Sequence, residues 1–117
     1  MTHDPPPPET AAILAGFREE LERLPGVACN RYYCDRSHTF GGEHRFGISL
    51  FFAPAGRHPR HLANLFVHEG TVILLKSGGI RARLEGDQRL FDLSDPESIP
   101  QVIAEVREMA GLPPGKA

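Results

Sequence analysis

Apolar positions along the chain change period twice. From 10 to 26 (TAAILAGFREELERLPG), Ile13, Leu14, Phe17, Leu21 and Leu24 recur three and four residues apart, with Arg18, Glu19, Glu20, Glu22 and Arg23 on the opposite side. This pattern predicts a helix capped by Thr10 and ended by Pro25-Gly26. Glu19 and Arg23 stand four apart in the favourable order.

Between 27 and 93 the period drops to two. VACNRYYC is β-prone, and Gly41-Gly42 marks a two-residue turn into RFGISLFFAP, where Phe46, Ile48, Leu50 and Phe52 share a face. PAGRHPRH reads as a loop from its Pro and Gly. LANLFVHEG is a strand ended by Glu69-Gly70, TVILLK is a strand of buried character, and Ser77-Gly78-Gly79 turns the chain again. IRARLEG alternates, with Ile80, Ala82 and Leu84 inward and Arg81, Arg83 and Glu85 outward; QRLFDL is one more short strand. The helical period returns in SIPQVIAEVREMAG, where Ile99, Val102, Ile103 and Val106 line one face. Ser98 is expected to cap this helix, Pro100 falls in its first turn, and Gly111 with Pro113-Pro114 stops it.

The expected fold is α+β: an antiparallel sheet of four to six strands flanked by an N-terminal and a C-terminal helix, both on one face. The Arg-bearing outer positions then lie on the open face or at its edge. Residues 1–9, with Pro5 to Pro8, are expected to be a disordered Pro-rich leader; 10–112 form the single domain and 113–117 a tail.

Composition adds limits. A chain of 117 residues that is 40% hydrophobic can bury a core of its own, and with no Trp and seven Phe that core rests on Phe, Leu, Ile and Val. No apolar run is long enough for a membrane helix, and the N-terminus lacks the basic and apolar regions of a secretory signal. Two cysteines make no disulfide scaffold. The expectation is a cytoplasmic protein with reduced thiols and no membrane partner. Charge is unevenly spread: residues 31–89 hold nine basic and five acidic side chains, whereas 1–30 and 90–117 each hold two basic and five acidic. Five of the six histidines also lie in the middle segment. A basic centre between acidic ends either pairs internally or leaves an anion-binding face.

The candidate chemistry gathers in CNRYYCDRSHTFGGEH, from 29 to 44. Cys29, Cys34, His58 and His61 are of metal-ligand type. Cys29 and Cys34 stand five apart, which puts them on opposite faces of a strand, so no resident metal or other cofactor is expected. HPRH, with Pro59 inside it, is not the helical histidine pair of a zinc protease, and a strand separates His61 from His68. A thiol nucleophile at Cys34 would need His38 or His44 as base across the Gly41-Gly42 hairpin, with Asp35 to orient it. The bland alternative is a small buried hydrophobe. Tyr32 and Tyr33 with Arg31, Arg36, Arg81, Arg83 and Arg89 suit stacked bases and phosphates, although no RRM, KH or OB signature accompanies them. The FGG at 40–42 before a strand, with a helical C-terminus after a hairpin, resembles the N-terminal domain of TfoX-like competence regulators over those few residues; the two-cysteine portion departs from that pattern.

The residues together predict a binding or accessory module without catalytic machinery. It presents a basic sheet face (Arg81, Arg83, Arg89, Arg31 and Tyr33) to an acidic protein partner, or associates with itself as a homodimer through an exposed strand edge. The alternatives are a small thiol or metal-dependent enzyme centred on Cys34, His38 and His44, and a single-stranded nucleic-acid binder.

Overall fold

The computed structural model describes residues 6–29, 33–35, 45–54, 57–76 and 88–113. Helix α1 (Pro8–Leu21) is followed by strands β1 (Val27–Cys29), β2 (Tyr33–Asp35), β3 (Arg45–Phe52), β4 (Arg60–His68), β5 (Thr71–Lys76) and β6 (Gln88–Asp92), then by helix α2 (Ser98–Ala110). All strand pairs are antiparallel, in the order β1-β3-β4-β5-β6, with β2 also on β3. The fold is α+β, as expected.

Both helices lie on one face. Leu14, Phe17 and Leu21 of α1 and Val102, Val106 and Ala110 of α2 close over Ile48, Leu50, Leu65, Val72, Leu74 and Phe91 in one buried cluster. The row Phe46, Ile48, Leu50, Phe52 faces the helices as its alternation requires, with Phe46 and Phe52 at the margins.

Five local expectations change. Helix α1 begins at Pro8 after Pro7, two residues before the expected Thr10 cap. Proline suits a first turn, because its φ is preset and its missing N–H would have had no helical acceptor. Helix α2 takes Glu97 at its cap position, and Ser98 is its buried first residue rather than its cap. The stretch VACNRYYC supplies two segments along one edge of β3. Cys29 pairs with Leu50 and Tyr33 with Gly47, so the register with β3 shifts by one residue between the two segments. The pairing of Asp35 with Arg45 leaves nine residues between β2 and β3. A two-residue turn at Gly41-Gly42 would instead have placed His38 opposite Arg45, so that register does not form.

Strand β4 also starts earlier than expected, at Arg60, because Pro59 sits just outside the ladder, where a missing N–H costs nothing. The alternating IRARLEG segment lies outside the described residues.

Gly111 ends α2 with φ 72°, a left-handed residue that lets Leu112 N–H reach Arg107 O at 2.9 Å. Gly47 is required for a different reason. A Cβ there would meet the Leu65 carbonyl oxygen and stand 2.7 Å from Phe66 Cδ1, so the aromatic ring lies directly on the bare backbone.

Candidate functional site

Strand directions give the sheet two chemically distinct ends. Phe52, Arg60, Lys76, Gln88 and Val27 lie at one end, because Phe52 pairs with both Val27 and Arg60, Ala63 with Lys76, and Leu75 with Gln88. Both helices finish at this end. The turn after α1 leads straight into β1, with Val27 N–H donating to Leu24 O at 3.1 Å. Arg60 Nη2 donates to Met109 O at 3.4 Å near the α2 terminus. Arg57, His58, Arg60 and Lys76 are exposed there. Arg60 also stacks over the Phe52 ring, 5.9 Å from its centroid. The opposite end carries Glu69 and Asp92, followed by Asp95 and Glu97. Helix C-termini attract cations, so part of the sorting is internal compensation. Arg57 and Lys76 have no acidic partner among the described residues.

Against the basic loop lies a shallow hollow of about 340 Å³, lined by Ala28, Cys29, Phe51, Ala53 and Pro59. Its lining is almost entirely apolar. His61 lies beside Phe51, ring centroids 5.4 Å apart and edge-on, and its Nε2 is 2.9 Å from Asn64 Oδ1. The PAGRHPRH pattern reads as a loop through His61, but His61 is a strand residue directly opposite Phe51.

Those expected site residues that are described do not assemble in one place. Arg89 pairs in register with Leu74 on the helix side and holds Glu105 of α2 at 2.8 Å. It is therefore committed to a helix and not to a basic open face. Tyr33 takes a register position beside Gly47, and Cys34 one opposite Phe46. Arg31, His38, His44, Arg81 and Arg83 lie outside the described residues. His61 and His68 occupy opposite ends of β4, about 20 Å apart at strand rise, too far to share an ion. No group of three or more metal-ligand side chains gathers among the described residues.

Cys29 is half-buried against the helix-side core. Burial first, and the Glu22 carboxylate second, push its thiol up to about 12, with Arg18 acting in the other direction. Glu22 is held close because its Oε2 accepts the Cys29 N–H at 3.2 Å. A neutral thiol is neither a nucleophile nor a ready metal ligand at neutral pH.

No helix among the described residues is long and apolar enough to cross a membrane. In comparisons with known proteins, no family model, no curated protein and no solved structure matches the chain.

Proposed function

We propose that this chain is a small binding or accessory module that receives an acidic protein segment at the basic end of its sheet. One observation carries this reading: the exposed cations Arg57, Arg60 and Lys76 collect at one end, beside an apolar hollow, while Glu69 and Asp92 mark the other end. An acidic segment with one apolar side chain fits that combination, with charge for steering and the hollow for an anchor. The chain between Lys76 and Gln88, which carries Arg81 and Arg83, leaves and re-enters the sheet at this same end. The basic surface is thus proposed as an end of the sheet rather than a face.

The test is fluorescence anisotropy with a labelled polyglutamate peptide that includes one Phe, in low and in physiological salt. Binding should weaken about tenfold in the Arg57→Glu, Lys76→Glu double variant and again in Arg81→Glu, Arg83→Glu. Equal binding by wild type and both variants would remove this reading. A labelled oligo-dT run in parallel decides for the nucleic-acid alternative if it binds more tightly and with a steep salt slope. The thiol-enzyme alternative at Cys34, His38 and His44 would be favoured by rapid, selective labelling of Cys34 at neutral pH, with Cys29 staying unlabelled.

A further inference from the structure

The face of the sheet away from the helices carries one continuous cross-strand row. Register places Tyr33 beside Gly47, Gly47 beside Phe66, Phe66 beside Ile73, and Ile73 beside Leu90. Phe66 and Ile73 are buried, at 0% and 7% exposure, whereas Leu90 is 61% exposed. The row therefore ends on an uncovered leucine at the terminal strand of the sheet order, with no described strand beyond it.

The two edges of the sheet differ in how they resist further pairing. On the β1/β2 edge, the register with β3 shifts by one residue between the Cys29–Leu50 and Tyr33–Gly47 pairs, a device that blunts an edge. Strand β6 reads QRLFD and has no proline, no lysine and an unbroken register with β5. Its one cation, Arg89, is engaged with Glu105 on the helix side. An edge of this kind is a template for another strand.

We propose that β6 pairs antiparallel with β6 of a second copy, about a two-fold axis through Leu90, to give one sheet continuous across a homodimer. The register follows from charge and from the faces of the sheet. A two-fold axis normal to the sheet keeps the helix side of each copy on one side, so only residues of the same face meet. Centring on Leu90 sets Leu90 against its counterpart, Gln88 against Asp92, and Arg89 against Phe91. Centring on Arg89 would oppose two guanidinium groups, and centring on Phe91 would set Leu90 against a carboxylate. Of these three registers, only the one centred on Leu90 is free of both conflicts. It also joins the two apolar rows end to end. Helix α2 packs over the β4–β6 half of the sheet, so its first turn, where Ile99 is 42% exposed, lies on the half that a second copy approaches.

Sedimentation equilibrium of the full chain from micromolar to near-millimolar concentration tests this. Wild type should be a concentration-dependent dimer, and Leu90→Asp should weaken association at least about tenfold, since it brings two carboxylates face to face. Ala12→Asp, exposed on α1 over the other half of the sheet, should not change it. Leu90→Cys, mildly oxidised, should form an intermolecular disulfide far faster than wild type, because directly opposed residues sit close enough to bridge. The cysteine variant carries the test even if Leu90→Asp fails to fold. A wild type that stays monomeric, a dimer that survives Leu90→Asp, or a Leu90→Cys dimer that does not cross-link would each overturn the proposal.

Discussion

On the helix side of the sheet, seventeen buried residues from both helices and five strands form one cluster; on the other side, among the described residues, only Phe66, Ile73 and Leu75 do. The same strands supply both sides, so the difference does not come from strand composition. Among the described residues, what lies above each side differs. Two amphipathic helices give the first side a lid that reaches from Val27 to Phe91. The second side has no helix among the described residues, and its apolar band passes through Phe66 and Ile73 to an exposed Leu90 while polar residues such as Asn64, His68 and Asp92 flank it. Stability should therefore reside on the first side, and interaction capacity on the second side and at the strand ends.

The largest expected effect is on the helix side. Phe17, 2% exposed, is among the largest fully enclosed side chains, and Phe17→Ala should cost about 3–5 kcal/mol by denaturant titration. Phe66→Ala on the other side should cost about 3 kcal/mol, since among the described residues its cluster holds two other buried residues against sixteen around Phe17. Equal losses would show that the second side is a core in its own right. Gly47→Ala probes the same place from the opposite strand. The added methyl meets the Phe66 ring and the Leu65 carbonyl, backbone that cannot yield, so a loss of about 1–3 kcal/mol is expected. A neutral result would mean that the two strands can move apart at this point.

These sides were unevenly legible in the sequence. The row Phe46, Ile48, Leu50, Phe52 and the stripes of both helices identify the covered side directly, since apolar period matches element period there. The second side was half visible. TVILLK is apolar at consecutive positions, which implies burial on both faces of β5, but a run of this kind does not say which neighbour shares the second face. That depends on the register joining Phe66, Ile73 and Leu90, and register is set by loop lengths. The Gly41-Gly42 pair suggested the wrong one for β2 and β3. Pro59 likewise concealed Arg60 and His61 as strand residues, because a proline just before a strand looks the same in sequence as one within a loop. The gathering of Arg57, Arg60 and Lys76 at one end was invisible for the same reason. Arg57, Arg60 and Lys76 are spread over twenty residues and two strands, and only strand direction brings them to a common end.

A smaller effect separates an ion pair from a packing contact on the helix side. Arg89 and Glu105 approach to 2.8 Å, but the arginine is 57% exposed. Screening at that exposure limits the pair, and Glu105→Gln should change stability by less than about 1 kcal/mol. A loss of the size expected for Phe17→Ala would show that Arg89 holds α2 onto the sheet rather than decorating it.

The smallest effect belongs to the acidic end. Asp92 Oδ1 accepts the Ser94 N–H at 2.9 Å and the Ser94 hydroxyl at 2.7 Å. These bonds, the hydroxyl first, hold its carboxyl below the ordinary value of 3.8. A carboxyl with a lowered folded pKa adds stability above its unfolded value and loses it as pH falls through the folded one. The contribution is therefore complete at neutral pH and disappears only in acid below 3.8. Ser94→Ala removes the stronger of the two bonds, so the Asp92 carboxyl resonance should titrate at higher pH than in wild type, closer to its ordinary value. If the midpoint stays where it was, the backbone N–H alone holds the charge. The turn that leads β6 into α2 would then be set by main chain, and the acidic end would keep its charge in acid whatever residue stands at 94.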